Sequence, residues 1–414
     1  MTVSANGGRQ GRPRTAPPAG ETIEHAYLDH AATTPLDPRV RHAMEPYLNG
    51  SFGNPSSLHW YGRKAHDSLE AGRAEVAALV GADSREIVFT GSGTEADNLA
   101  ILGTAARFEG ASHVVTSAFE HPAVLEPFRL LERRGIEVTY VAPDPDGIVR
   151  PHALAAALQP TTRLVSIMAA NNVLGTIQPV NELAQLVHEH GALFHTDAVQ
   201  AAGKLPIDVG AMPIDLLSFS AHKLHGPKGV GALYVRSGVE LEPLVLGGGQ
   251  ERGLRSATEN VAGVIGFGQA CLLARAEMGE ESARLVGFRE RILDALTAEI
   301  DNIYLIGHPY QRLPGYLCFG FSGQEADAIR LLFALDDAGI AVSSGSACSA
   351  HNAGEPSYVL TALGFDTIRA RGSLRVSMGR FTSEADVDRL LEALPTAARS
   401  LTSIASHAGF GVRA

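Results

Sequence analysis

The chain is expected to be an α/β protein with a mostly parallel central sheet, helices on both faces, and a smaller α+β domain. Three observations predict this. Between Glu86 and Val235, short apolar runs rich in β-branched residues alternate with segments of helical spacing, the pattern of a parallel sheet whose crossovers are helices. After Glu259 the alternation gives way to one long helical region, then to shorter strands and helices. The length, 414 residues, suits two or three domains and buries a large core without staples.

The elements follow in order. Residues 1–24 read as a disordered tail, because Gly7–Arg14 is polar and broken by Gly and Pro and lacks the apolar stretch of a signal peptide. Strands are predicted at Glu86–Thr90, His113–Ser117, Ile136–Val141, Leu164–Met168, Ala192–Thr196, Leu216–Phe219 and Ala232–Val235. Helices are predicted between them at Glu95–Phe108, Ala123–Arg134, His152–Leu158 and Val180–His190. The long helical region runs to about Ile300, with a break expected near Gly279. Strands at Leu317–Phe321, Ala341–Ser343 and Ser373–Ser377 and helices at Ala326–Ala338 and Glu384–Leu394 complete the second unit.

Composition removes several function classes. Thirty-four Lys+Arg against 45 Asp+Glu give a net charge of −11, which argues against a broad grip on nucleic acid or an anionic membrane. No apolar run approaches the roughly 20 residues of a membrane span. Three unpaired cysteines exclude a disulfide framework and a Cys-based zinc site, so no metal is expected. A cytoplasmic location is the expectation. Glycine, at 44 residues, exceeds the usual share of about 7% and points to many tight turns.

In a parallel sheet ligands bind at the carboxyl ends of strands. Five predicted strand ends deliver polar residues there: Gly91-Ser92-Gly93-Thr94-Glu95, then Glu120-His121, Asn171-Asn172, Asp197 with Gln200, and Ser220-Ala221-His222-Lys223. The Gly-rich turn opens a helix, where backbone N–H groups bind phosphate. A tight strand–helix turn would look the same, and no acidic residue follows at dinucleotide spacing. Lys223, just past a buried strand, suits a desolvated amine nucleophile. Asp197 suits a carboxylate for a protonated ring nitrogen, or equally a helix cap. His121 suits stacking and proton transfer, or a loop histidine. Cys271 and Cys318 sit in apolar runs and read as core, whereas Cys348 lies in the small, polar segment Ser343–Asn352 and suits a travelling nucleophile. Arg375, on an apolar strand, needs a partner: a substrate carboxylate or a structural ion pair.

These residues lie within longer motifs: YLDHAATTP at 27–35, GNPSSLH at 53–59, GTEADNLAI at 93–101, EHPAV at 120–124, HTDAVQAAGKLPID at 195–208, SAHKLHGPKGVGALYVR at 220–236, GGGQERG at 247–253 and SSGSAC at 343–348. Through them, from about Tyr27 to Leu394, the chain resembles the cysteine desulfurases of the pyridoxal-phosphate-dependent class V aminotransferase superfamily (fold type I), and within them the nitrogenase and iron–sulfur assembly branch. The resemblance implies a large cofactor-binding domain at 37–275 and a small domain, 25–36 with 276–400, carrying the Cys loop. It implies Lys223 as the Schiff-base lysine, Asp197 on the pyridinium nitrogen, His121 stacked on the ring and moving protons, and Gln200 and Asn172 on the ring hydroxyl side. Gly93, Thr94, Ser220 and His222 would hold the phosphate, with Thr258 of a neighbouring subunit, hence a homodimer with shared sites. Arg375 and Asn172 would bind the carboxylate of L-cysteine. Cys348 would take the sulfur as a persulfide, release L-alanine, and pass the sulfur to an acceptor protein or scaffold.

Three positions depart from the branch. Val173 follows Asn172 where Glu is usual, Ala257 precedes Thr258 where Gly is usual, and the stretch from Cys348 to Glu355 is one residue longer. They bear on the acceptor, which the sequence leaves open among iron–sulfur clusters, tRNA, DNA and natural products. The alternatives are a related lyase, such as a selenocysteine lyase, and a catalytically weak adaptor that binds a sulfur-carrier partner.

Overall fold

The structure is a computed structural model and describes residues 25–323, 328–344 and 356–407; the 1–24 tail and Cys348 lie outside them. The first described elements are β1 (Ala26–Tyr27), α1 (Pro38–Asn49) and α2 (Trp60–Val80). The two helices were not expected, although their ends carry ordinary signals. Asp37 caps α1 by accepting from the Arg39 N–H, with Pro38 at the first helical position. His59 caps α2, which stops at left-handed Gly81.

The alternating part follows as β2 (Ile87–Thr90), α3 (Gly93–Ala105), β3 (His113–Ser117), α4 (Pro122–Arg133), β4 (Glu137–Val141), α5 (Pro151–Ala157), β5 (Thr162–Ser166), α6 (Val180–His190), β6 (Leu193–Asp197), β7 (Leu216–Ser220) and β8 (Gly231–Val235). Among the described residues these strands form a seven-stranded sheet in the order β2-β8-β7-β6-β5-β3-β4. Strand β8 runs antiparallel to both neighbours, and the other pairings are parallel. Both faces are covered. Val88, Leu216, Leu233, Val114 and Leu164 pack under α3 and α4, while Phe89, Val165, Phe194 and Phe219 pack under α2, α6 and the next helix. Burial on both sides is why these strands read as continuous apolar runs rather than alternating ones.

The rest comprises α7 (Val261–Glu299), β9 (Ile303–Leu305), β10 (Tyr316–Phe321), α8 (Ala328–Asp337), β11 (Ile340–Ala341), α9 (Tyr358–Ala362), β12 (Ser373–Ser377) and α10 (Glu384–His407). The expected break near Gly279 is absent: α7 is one helix of 39 residues. Gly279 faces open space, so its helix cost of about 1 kcal/mol is outweighed by packing on either side. By length and composition α7 would pass for a membrane span, yet its most apolar stretch is 56% buried inside the protein, chiefly against α1 and α2. Strands β12, β10 and β9 form an antiparallel sheet, and β1 pairs in parallel with β11. A second core gathers Ala26 and Leu28 with Leu285, Ile292, Leu317, Leu374 and Leu390. The N-terminal strand thus lies with the C-terminal third of the chain.

Candidate active site

Strand ends β2, β3, β5, β6 and β7 converge on one cavity of about 410 Å³. Its lining includes Gly93, Thr94, His121, Asn172, Asp197, Gln200, Ser220, His222, Lys223 and Arg375. Of the residues singled out from sequence, Thr258 does not line it and is exposed on the surface.

The cradle is built by the turn into α3. Ser92 caps the helix by accepting from the Glu95 N–H at 3.1 Å, so the N–H groups of Gly93 and Thr94 belong to the first turn and have no partner within the helix. A Cβ on Gly93 would lie 2.7 Å from Val199 Cγ2, and one on Gly231 would lie 2.5 Å from the Ser92 carbonyl carbon. Both glycines let the turn lie flat against β8 and the Asp197 loop. His121 caps α4 by accepting from the Ala123 N–H at 3.1 Å. Burial, then the charge of Lys223, lowers its pKa to about 4, so its ring is neutral at pH 7.

No helix stands between β6 and β7, so Asp197 is not a helix cap. Its Oδ1 accepts from the Val199 N–H at 2.8 Å, closing a turn, while the carboxylate still faces the cavity. Burial raises its pKa, opposed by that hydrogen bond and by Lys223. Behind it lie two further buried acids. Asp97 is raised by burial and by Asp197, and Glu120 is raised to about 8 by burial while accepting from Ser117 Oγ and from the Met168 N–H.

Lys223 sits in a short helical turn after β7. Its Nζ donates to the carbonyls of Ala31 and Ala32, and Gln200 Nε2 donates to the same Ala31 carbonyl at 3.0 Å. Tyr316 OH donates to Gln200 Oε1 at 2.5 Å. His222 Nδ1 lies 3.1 Å from Thr33 Oγ1, and its carbonyl accepts from Thr34 Oγ1 at 2.8 Å. His225, two residues past Lys223, is held in a left-handed conformation (φ 60°), its N–H donating to Thr34 Oγ1 at 2.9 Å. The motif at 27–35 therefore acts as a strap across the lysine turn.

Arg375 is 2% exposed. Its Nη2 reaches Asp29 Oδ1 at 2.7 Å and its Nη1 donates to the Asn172 carbonyl at 2.9 Å. The ion-pair reading is therefore present, and the side chain still lines the cavity. Asp29, Asp97 and Ser343 also line it and were not singled out. All three stood inside quoted motifs, which was their only signal. Cys271 and Cys318 are buried core residues, as expected. Chemically, the site offers the amides of a helix N-terminal turn, a buried carboxylate, a neutral imidazole, one primary amine and a guanidinium. That set suits a phosphorylated heteroaromatic aldehyde and an amino acid.

A family model described as aminotransferase class-V matches residues 26–390. The chain is 45% identical over 382 residues to the cysteine desulfurase IscS of Dictyoglomus turgidum, covering 92% of this chain and 96% of that one. Among solved structures, a NifS-like protein superposes with a TM-score of 0.85 at 36% identity, covering 91% of this chain and all of the other. A structure titled SspA in complex with cysteine gives a TM-score of 0.76 at 36% identity, covering 86% of this chain and all of the other.

Proposed function

The chain belongs to the aminotransferase class-V family and is a pyridoxal-phosphate-dependent cysteine desulfurase, and from that premise we propose how its residues divide the work. One observation carries the proposal: a phosphate cradle, an acid, a neutral histidine, a lysine and a buried arginine line a single cavity. When bound, pyridoxal phosphate supplies an electron sink for charge released at the substrate α-carbon. Gly93 and Thr94 amides with Ser220 and His222 hold its phosphate. Asp197 would keep the ring nitrogen protonated, and the neutral His121 ring would pack on the cofactor and relay a proton. Gln200 and Asn172 would orient the cofactor's hydroxyl side, and Lys223 Nζ would be the amine that anchors it and moves the substrate's α-proton. Arg375 clamps the carboxylate of L-cysteine, its guanidinium aimed by Asp29 and the Asn172 carbonyl.

Cys348 is the proposed sulfur acceptor. Its thiolate attacks the substrate sulfur; the carbon–sulfur bond breaks, a sulfur–sulfur bond forms, and the electron pair left on carbon takes a proton, giving L-alanine and an enzyme persulfide. Ser343 lines the cavity. Three residues separate Ser344 from Cys348, so four chain steps span at most about 14 Å at full extension. The sulfur then passes to an acceptor protein of the iron–sulfur assembly type in a cytoplasmic setting.

A homodimer completes the proposal. It is supported by a run of exposed rings at the start of α2, where Phe52 stacks on Tyr61 and Tyr61 meets Trp60 edge-on, since contiguous exposed apolar surface marks an interaction site. Thr258 would reach the neighbour's phosphate. Mass spectrometry after turnover with L-cysteine is expected to find one added sulfur on Cys348, and Cys348→Ser should keep the cofactor and lose sulfide release. Full activity of that variant on cysteine would overturn the persulfide step. Sedimentation should give a dimer mass, and a monomer fully loaded with cofactor would overturn the shared site.

A further inference from the structure

An acid follows the anion cradle directly in the chain, just outside the cavity lining. Glu95 is the third residue of α3 and follows Thr94 directly; its Oε2 accepts from the Gly91 N–H at 2.8 Å. It therefore takes one backbone donor of the turn and places a negative charge within one helical turn of the Gly93 and Thr94 amides. A Cβ on Gly91 would lie 2.7 Å from that same Oε2 and would push the carboxylate off the turn. A carboxylate beside a phosphate pocket opposes the phosphate, since both bear negative charge.

The opposing charge comes from a distant segment. Arg255 Nε donates to Glu95 Oε1 at 2.8 Å, with Nη2 near Oε2 at 3.4 Å. The two side chains are 23% and 26% exposed, so solvent screens the pair only in part. Among the described residues this is the ion pair that Glu95 makes.

We propose that Arg255 is a positioning residue for cofactor binding: by pairing with Glu95 it neutralises the acid beside the cradle so that the turn at Gly91–Thr94 accepts a phosphate dianion. The inference rests on the pyridoxal-phosphate reading. It adds a residue that touches neither phosphate nor substrate, and it assigns Glu95 the structural task of closing the turn at the cost of a charge that Arg255 cancels.

The test is a charge-rescue cycle on full-length protein stripped of cofactor. Pyridoxal phosphate is titrated by absorbance into wild type, Arg255→Gln, Glu95→Gln and the double variant, with unphosphorylated pyridoxal as a second probe. Arg255→Gln should weaken pyridoxal phosphate about three- to tenfold, as expected for a partly screened pair, and leave pyridoxal unchanged. The double variant should return to within about twofold of Glu95→Gln, because no uncancelled charge then remains. Equal affinity of Arg255→Gln and wild type would overturn the proposal. So would an unrescued double variant, which would show that Arg255 acts by holding the strand of chain leading to Thr258. Wild type failing to bind pyridoxal phosphate would instead overturn the cofactor reading itself. Matching circular dichroism spectra across the four proteins separate these results from misfolding.

Discussion

Replacing Glu251 should uncouple a strained loop from the sheet. Glu251 and Arg252 have φ of 47° and 58°, a left-handed region in which non-glycine residues are strained. The carboxylate accepts from both terminal nitrogens of Arg73 at 2.7 and 2.8 Å, and from the Phe89 N–H at 2.9 Å. Both side chains are about 5% exposed or less. Truncating one member of such a pair costs about 3–5 kcal/mol. Arg73 keeps the Ile87 carbonyl and Glu70, both at 3.0 Å, which favours the lower end. The orphaned Phe89 N–H adds about 1 kcal/mol. Glu251→Ala should therefore cost about 4 kcal/mol, and Glu251→Gly about 1 kcal/mol less, because glycine accepts the left-handed backbone. Urea unfolding of the cofactor-free protein, followed by far-ultraviolet circular dichroism, measures both. A loss below about 1 kcal/mol for the alanine variant, or a glycine variant less stable than the alanine one, would refute the reasoning.

Arg375→Lys should raise the KM for L-cysteine about tenfold or more, since a point charge cannot hold Asp29, the Asn172 carbonyl and a carboxylate together; an unchanged KM removes the clamp role. Gly231→Ala should weaken pyridoxal phosphate at least about tenfold, because its Cβ meets backbone of Ser92 at 2.5 Å and must displace the cradle; absorbance titration decides it. His195, bonded to Ser166 Oγ and Ser218 Oγ, is lowered to about 3 by burial. A histidine whose folded pKa is depressed favours the neutral form, so the stability tied to it is present above pH 6.5 and lost as pH falls from there toward 3. His195→Gln should therefore flatten the fall in unfolding free energy between pH 6.5 and 4 by up to about 1.4 kcal/mol per pH unit. A slope equal to that of wild type would show that the residue is not buried neutral.

The seven-stranded sheet was legible because all its strands but the edge strand β4 are buried on both faces and read as short apolar runs, while β4, half-buried, was legible from its β-branched and aromatic residues. The site was legible for the same reason, since its residues follow those runs directly: Gly93 after β2, His121 after β3, Asp197 closing β6 and Lys223 after β7. Helices α1 and α2 escaped the reading. Helix α1 bears a single fully buried residue, Val40, and α2 buries Gly62, Gly72 and Arg73 among its apolar positions, so neither shows a clean apolar stripe. The expected break at Gly279 failed because propensity is local, whereas α7 is held by contacts with α1, α2 and the second core. The partners that aim the site's side chains were also beyond the sequence. Asp29 meets Arg375 across 346 residues and Ala31 meets Lys223 across 192, pairings that only the tertiary fold creates.

The strap at 27–35 has a consequence for how the enzyme is made. Its first strand pairs with β11, its Asp29 waits for Arg375 on β12, and its Ala31 and Ala32 carbonyls hold the lysine between. During synthesis the sheet can form while the C-terminal third is still on the ribosome, since domains fold as they emerge. The lysine turn then lacks its lid until β11 and β12 arrive and draw the N-terminal strand into place. Loading of the cofactor is therefore expected to follow release of the chain, and a nascent chain stalled before residue 340 should form the sheet yet fail to retain pyridoxal phosphate.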